Sequence, residues 1–226
     1  MPPRTPVLVE LFTSEGCSTC PPVDRFLSRL AAEQSIADVE IVPLEFHVDY
    51  WDRLGWKDPF SSAAFTKRQG DYSRTFRGEN YTPQVIVDGR EIVGDERAIR
   101  TAIADAAKGS RALVRIELTG TAEAKTRIAL HVSAVSAGAD ADVFLAITED
   151  QLAMDVQRGE NAGKRLEHTA TVRDLKRIGR LDAAGRFEGA PAPARDPLWK
   201  AGALHAVVFV QERGSRHVLG AARISL

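Results

Sequence analysis

The chain has 226 residues, 44% of them hydrophobic, which is enough for one large or two ordinary compact domains with well-packed cores. Its 30 lysines and arginines nearly balance its 31 acidic residues. The resulting formal net charge of −1 argues against a nucleic-acid partner or an anionic membrane surface. No apolar run approaches the roughly 18 residues of a membrane-spanning helix, so we expect no membrane span.

The first twelve residues, "MPPRTPVLVELF", do not resemble a signal peptide. Their apolar part is short, and no small-residue cleavage site follows it. The sequence therefore predicts a cytoplasmic protein, or a periplasmic or secreted one whose leader has been removed, and does not separate these locations.

The N-terminal half is predicted to alternate strands and helices. "PVLVELF" (6–12) predicts a strand buried on both faces, and "TSEG" predicts a turn into a helix that starts at Ser18. Pro21 and Pro22 fall in the first turn of that helix, where a missing N–H group is tolerated. The other elements predicted up to residue 109 are a strand at 39–46, an aromatic and acidic loop at 47–60, a helix at 61–76 capped by Ser61 or Ser62, a hairpin at 82–94 with an Asp88-Gly89 turn, and a helix at 95–109.

After residue 109 the pattern changes to short strands. Segments 111–120, 126–135 and 142–148 alternate apolar and polar residues, and 204–212 and 216–226 predict a closing strand pair. Strands at this spacing favour a small β-sandwich. We therefore expect two domains: 1–109, with a helical insertion at about 47–80, and an all-β sandwich-like domain at 110–226.

The only two cysteines, Cys17 and Cys20, lie between the first predicted strand and helix. A pair this close closes almost no loop, so it indicates redox or metal chemistry rather than a structural crosslink. A helix N-terminus stabilises a thiolate, which would make Cys17 an exposed, acidic nucleophile and Cys20 the buried thiol that resolves a mixed disulfide. The alternative is two small buried residues.

Several motifs together resemble a known family. Residues 6–109 resemble a thioredoxin-like domain, and "VLVELFTSEGCSTCPP", "FHVDYWDRLGWKDPFSS", "RQGDYS", "YTPQVIVDG" and "GENAGKRLEHTATVRDL" resemble domain-of-unknown-function family 1223. That family groups thioredoxin-like proteins of proteobacteria that are often secreted or periplasmic. The resemblance implies a thioredoxin-like α/β fold for residues 1–109, with a mixed central sheet flanked by helices, and dithiol chemistry.

The thioredoxin-like fold also implies roles for residues around the cysteines. A cis-proline at Pro83 would lie beside the dithiol, and the backbone of Thr82 would hold an extended substrate chain. Glu10, a carboxylate inside an apolar strand, would relay the proton of Cys20, although it lies one residue farther from Cys17 than the family pattern expects. The alternative for Glu10 is an acid that reaches water or a basic partner.

His47, Asp49 and Trp51 follow the second predicted strand. The carboxyl ends of parallel strands form the ligand crevice of open α/β sheets, so these side chains are expected to line a substrate site together with Thr82. The alternative is a loop that packs on its own aromatic residues. The polar "GENAGKRLEH" segment (159–168) is interpreted as a turn between strands rather than a binding loop.

The sequence thus predicts a thiol–disulfide oxidoreductase with no cofactor other than its own dithiol, acting on protein or small-molecule disulfides with an unknown redox partner. Gly16 and the Ser18-Thr19 pair depart from the Trp-Cys-Gly-Pro-Cys of thioredoxins, which leaves reductant, oxidant and isomerase open. The alternative is a non-enzymatic binding module, such as a copper chaperone that uses Cys17, Cys20 and His47.

Overall fold

A computed structural model of the protein describes residues 4–119, 127–133 and 136–226. The described residues contain three α-helices: α1 (Pro21–Glu33), α2 (Ala63–Phe76) and α3 (Glu96–Ala106). Their strands are β1 (Thr5–Thr13), β2 (Val39–His47), β3 (Gln84–Val87), β4 (Arg90–Ile92), β5 (Leu113–Thr119), β6 (Arg127–Ser133), β7 (Ala141–Glu149), β8 (Leu152–Asp155), β9 (Arg165–His168), β10 (Thr171–Arg180), β11 (Arg186–Gly189), β12 (Leu204–Glu212) and β13 (Val218–Ser225). Positions 120, 126, 134 and 135 of the predicted strands lie outside the described residues.

One mixed sheet of eight strands organises the molecule, in the order β13-β12-β7-β10-β2-β1-β3-β4. β1 pairs in parallel with β2 and antiparallel with β3, while β7, β12 and β13 are joined by antiparallel pairs. The two halves of the chain meet where β10 pairs in parallel with β2, at Thr171 and Glu45. The protein is therefore a mixed α/β protein.

Three of the strands predicted for a separate sandwich, β7, β12 and β13, instead continue the sheet of the N-terminal half. A second sheet, β11-β6-β5, covers this extension through apolar side chains such as Ile128 and Val132 that pack with Val143 and Val208. β8 and β9 form a small two-stranded sheet. The boundary near residue 110 stays a prediction, since the sheet itself runs across it.

Helices cover both faces of β1 and β2 because the two strands are apolar on both sides. Val9 and Leu11 pack with Leu27 of α1 and Ile103 of α3 on one face. Alternate residues point to the other face, where Phe12 packs with α2. This layering holds the C-terminal ends of β1 and β2 side by side, with Thr13 opposite His47.

Most of the predicted N-terminal elements are confirmed within one to three residues. Ser62 caps α2 by accepting a hydrogen bond from the backbone N–H of Ala64, and the Asp88-Gly89 turn joins β3 to β4. Four strands were not predicted, namely β8, β9, β10 and β11. None of the helices in the described part of the chain combines the length and apolar character needed to cross a membrane.

Candidate functional site

Cys17 and Cys20 are joined by a disulfide, with their Cα atoms 5.4 Å apart. α1 begins at Pro21 rather than at the predicted Ser18, so Cys20 occupies the N-cap position. Cys17 lies in the turn before it, where its carbonyl accepts a hydrogen bond from the backbone N–H of Cys20 at 3.2 Å. The pair therefore lies at the positive end of the helix dipole, where negative charge is stabilised.

Both cysteines are fully buried. The expectation of an exposed Cys17 is therefore wrong for this disulfide-bonded state, and only Ser18 and Thr19 of the motif face solvent. The Cys17 sulfur lies 3.3 Å from Thr19 Oγ1 and 3.8 Å from the carbonyl oxygen of Thr82. Any reaction at Cys17 with an external molecule requires a movement that exposes its sulfur.

Thr82 and Trp51 lie beside the dithiol, as the sequence predicted. The Thr82–Pro83 peptide bond is cis, which confirms that expectation. Trp51 Nε1 donates a hydrogen bond of 2.8 Å to Thr82 Oγ1. Trp51 also lies against Gly16, where a Cβ atom would approach the Trp51 Cβ to 3.1 Å. The residue before Cys17 is thus small because the Trp51 loop passes close to it.

The turn between β8 and β9 lies on the dithiol turn, a contact the sequence did not predict. Asn161 is fully buried, and its side-chain N–H groups donate to the carbonyls of Glu15 at 2.8 Å and Cys17 at 2.9 Å. Glu160 accepts a hydrogen bond from the backbone N–H of Ser18 at 3.0 Å. Residues 159–164 form a turn between strands, as interpreted, whereas 165–168 form β9. The turn also supports the motif.

Glu10 lies in a different polar cluster. Its buried carboxylate pairs with Arg68 at 2.6 Å and accepts a hydrogen bond from the Tyr72 hydroxyl. Gln211 donates to the same hydroxyl at 2.7 Å. Among the described residues, no hydrogen bond joins Glu10 to either cysteine, so its role as a proton relay stays a prediction without structural support.

Asp49 is oriented by α2 rather than by the dithiol. Its carboxylate accepts a hydrogen bond of 2.6 Å from Thr66 Oγ1. The backbone N–H of Asp49 donates a hydrogen bond of 3.0 Å to Thr66 Oγ1. This pair fixes the loop that carries Trp51. A direct contact of Asp49 with a substrate stays a prediction.

His47 is buried beneath the site rather than placed at its rim. Its Nδ1 shares a hydrogen bond of 2.7 Å with Asp58, and its Nε2 lies 3.7 Å from Glu45 Oε1. His168 lies against the same glutamate, with Nδ1 3.0 Å from Glu45 Oε1 and Nε2 3.2 Å from Glu15 Oε1. We call these five residues the buried histidine cluster.

Two further contacts tie the buried histidine cluster to the dithiol turn. The backbone N–H of Glu15 donates to Asp58 at 2.9 Å, and Trp56 Nε1 donates to Glu15 Oε2 at 2.7 Å. Glu15 is two residues before Cys17, so the cluster and the disulfide share one short segment. The signal that could have found Glu15 and Glu45 is a carboxylate at or near the end of an apolar strand, the same signal that singled out Glu10.

Opposite charges inside the cluster shift its pKa values strongly. Burial alone would raise the pKa of Glu45, but the His168 imidazolium outweighs it and lowers that pKa to about 2. Burial alone would lower the pKa of His168, but Glu45 raises it to about 9. The pKa of His47 is raised well above its usual value against its own burial, chiefly by Asp58.

Asp24 is a buried carboxyl that the sequence analysis missed. It follows Cys20 by one helical turn, and its backbone N–H donates to the Cys20 carbonyl at 3.1 Å. Its carboxyl accepts a hydrogen bond of 2.7 Å from Thr13 Oγ1. Burial, reinforced by the charge of Glu45, raises the pKa of Asp24 to about 7.

The donor set proposed for copper does not come together. Of the described residues, those able to hold a metal ion as a group are Glu45, His47 and His168, and this group includes neither cysteine. The sulfur atoms of Cys17 and Cys20 are bonded to each other.

These features define a mixed α/β protein with a Cys-x-x-Cys disulfide at a helix N-terminus, next to a buried cluster of histidines and carboxylates. The chain belongs to the family described as "Protein of unknown function (DUF1223)", which it matches over residues 8–211. It is similar to a protein from Agrobacterium tumefaciens of known crystal structure, with 28% identity and a TM-score of 0.77 over 98% of this chain and 94% of that chain. No curated protein gives a significant match to the sequence.

Proposed function

We propose that the protein is a thioredoxin-like thiol–disulfide oxidoreductase that uses Cys17 and Cys20. The observation that carries this function is the placement of the disulfide at the N-terminus of α1, with the Thr82 carbonyl 3.8 Å from the Cys17 sulfur. A helix N-terminus favours the thiolate form of a cysteine. The neighbouring backbone carbonyl offers a hydrogen-bond acceptor to an extended substrate chain.

The topology around the motif supports the same function. β1 and β2 are parallel, β3 and β4 follow antiparallel on the far side of β1, and α1 and α3 pack on one face. This order is the one that the thioredoxin-like resemblance implies.

The proposed chemistry moves two electrons. In the reduced protein the Cys17 thiolate attacks one sulfur of a substrate disulfide, which forms a mixed disulfide and releases the other substrate sulfur as a thiolate. Cys20 then loses its proton and attacks the Cys17 sulfur. The second substrate thiolate leaves, the substrate has gained two electrons, and the Cys17–Cys20 disulfide has formed. The oxidised protein runs the same steps in reverse on a substrate dithiol.

Asp24 is the carboxylate we assign to accept the Cys20 proton. It lies one helical turn from Cys20, is buried, and is oriented by Thr13. Glu10 is less suited to this role because its carboxylate is already paired with Arg68.

The burial of Cys17 assigns a role to the turn at 159–164. Asn161 and Glu160 bind the backbone of the dithiol turn and not its sulfur atoms. Release of these hydrogen bonds frees the dithiol turn to expose Cys17 to a substrate. We therefore assign this turn as the part that opens during the reaction.

The same burial favours a second candidate, a non-enzymatic binding module whose disulfide only locks its shape. The reduction potential of the Cys17–Cys20 pair separates the two. Catalytic dithiols have potentials between about −270 and −120 mV, whereas structural disulfides lie below about −300 mV. The oxidoreductase function predicts a value in the first range together with reduction of insulin disulfides by the reduced protein. A value in the second range, with no insulin reduction, would support the binding module.

A further inference from the structure

The buried histidine cluster has the arrangement of a metal site. Glu45 and His47 come from the C-terminal end of β2, and His168 ends β9. One donor atom from each of these three residues lies within 4.8 Å of the other two, and all three residues are at most 2% exposed. Two imidazoles and one carboxylate are ligands typical of zinc and other divalent transition ions.

A buried nitrogen without a hydrogen bond points into this group. Among the polar side-chain atoms of the buried histidine cluster, as far as the chain is described, His47 Nε2 alone makes no hydrogen bond. It lies 3.7 Å from Glu45 Oε1, which is an ion-pair distance and too long for a hydrogen bond. Leaving a buried polar atom unsatisfied is costly, so a site for a ligand at this atom accounts for its position.

Each histidine is oriented by a carboxylate on its other nitrogen. Asp58 binds His47 Nδ1 at 2.7 Å, and Glu15 lies 3.2 Å from His168 Nε2. Carboxylates behind the ligating imidazoles are a regular feature of metal sites, because they fix the ring and raise its basicity. With Nδ1 of His47 and Nε2 of His168 donating to these carboxylates, the other two nitrogens face Glu45. A metal ion that binds there displaces the protons of these two nitrogens.

We propose that Glu45, His47 and His168 bind a divalent transition-metal ion, with zinc as the representative. The ligand atoms are Glu45 Oε1, His47 Nε2 and His168 Nδ1. Zinc bonds of about 2.0–2.2 Å to such atoms place tetrahedral ligands about 3.4 Å apart. Glu45 Oε1 already lies 3.0 Å from His168 Nδ1 and 3.7 Å from His47 Nε2, so two of the three distances between ligand atoms are close to this spacing.

One residue of the proposed site borders a surface cavity. His168 forms part of the wall of a surface cavity of about 510 Å³. The same wall includes Ser28 and Ala31 of α1 and Leu152 of β8. The cavity therefore places solvent next to His168, on the side of the cluster lined by α1 and β8.

The first test measures zinc affinity of the full-length, chelator-treated protein by competition with a chromophoric chelator. We expect one zinc ion per chain and a loss of affinity of at least about a hundredfold in His47→Gln and in His168→Gln. His131→Gln is the matched control, because His131 is half-exposed and pairs with Glu188. It should bind zinc like the wild type.

The Cys17→Ser/Cys20→Ser double variant separates this site from the redox function. It should keep wild-type zinc affinity, whatever happens to its redox activity. Absence of a saturable zinc site in the wild type, or equal affinity in His47→Gln and His168→Gln, would overturn the metal site. Loss of zinc binding in the double cysteine variant would also overturn it, in favour of cysteine ligands.

A second measurement needs no variant of a proposed ligand. Imidazole nitrogen resonances of the wild type can be followed by NMR as one equivalent of zinc is added. Two of the five histidines, His47 and His168, should shift, after assignment through substitution of the other three. Unchanged resonances of these two rings would rule the site out even where His47→Gln and His168→Gln fail to fold.

Discussion

The side chain of Asn161 donates a hydrogen bond of 2.9 Å to the carbonyl of Cys17, a residue 144 positions earlier in the chain. It donates a second to the carbonyl of Glu15 at 2.8 Å. A turn from the C-terminal half thereby holds the segment that carries both the first cysteine and a carboxylate of the buried histidine cluster. Both halves of the chain therefore build the dithiol site, although the two cysteines lie close together in the N-terminal half.

Removing this support should make the disulfide more reactive. Asn161→Ala loses two hydrogen bonds to the dithiol turn of about 1 kcal/mol each, so that turn should open more often and dithiothreitol should reduce the disulfide about thirtyfold faster. Stopped-flow reduction kinetics measure this rate. Asn80→Ala is the control, because Asn80 binds Ser73 and makes no hydrogen bond to the dithiol turn. An unchanged rate in Asn161→Ala would show that the turn at 159–164 does not control access.

Asp58 should strengthen zinc binding indirectly, by holding the ring of His47 in place. Asp58→Asn removes the carboxylate that fixes His47 Nδ1, and zinc affinity should fall about 10- to 100-fold. The chelator competition used for the ligand variants gives the value. Asp155→Asn is the control, because Asp155 is exposed and paired with Arg165. An equal loss in both variants would contradict a specific role for Asp58.

Glu10 should stabilise the fold without taking part in electron transfer. Glu10→Gln leaves the buried Arg68 cation without its carboxylate, which costs about 3–5 kcal/mol of unfolding free energy. Urea denaturation measures this loss. Replacing both partners by apolar residues, as in Glu10→Leu/Arg68→Met, should restore much of it. A slower resolving step in Glu10→Gln at unchanged stability would instead support the proton relay predicted from the sequence.

Asp24 should make stability depend on pH. Its pKa is raised from 3.8 to about 7, so the folded state holds a proton that the unfolded state has lost. The stability from that proton is fully present below pH 3.8 and is lost as pH rises through 7. In chelator-treated protein, raising the pH from 4 to 8 should therefore lower the stability of the wild type more than that of Asp24→Asn, because asparagine does not titrate. Thermal unfolding of both proteins across this range gives the difference, and a constant difference would contradict the raised pKa.

The sequence predicted those parts of the fold that local signals determine. The apolar runs of β1 and β2 marked buried strands, and the serines before α2 marked its start. The convergence of parallel strand ends predicted the place of Trp51 near the cysteines, and the thioredoxin-like resemblance implied that of Thr82. The start of α1 was misplaced because Ser18 and Thr19 form a turn of their own before the helix.

The sequence could not show which strands from the two halves would pair. Five of the ten residues of β10 are charged, so it lacks the apolar pattern of a strand in a central sheet, yet it lies between β2 and β7. The contact of His168 with Glu45 depends on that pairing and on the β8–β9 hairpin. The sequence therefore placed His47 at the rim of a substrate site, whereas the structure places it in the buried histidine cluster.

The most direct test of the oxidoreductase function is trapping of mixed disulfides. In Cys20→Ser the thiolate of Cys17 attacks a substrate disulfide, but no second thiol releases it, so covalent complexes should accumulate on non-reducing gels and disappear on reduction. In Cys17→Ser they should not form, because the sulfur assigned to attack is that of Cys17, which lies 3.8 Å from the Thr82 carbonyl proposed to bind substrate. Complexes in Cys20→Ser alone are the predicted result, and equal trapping in both variants, or in neither, would contradict the assignment of Cys17 as the nucleophile.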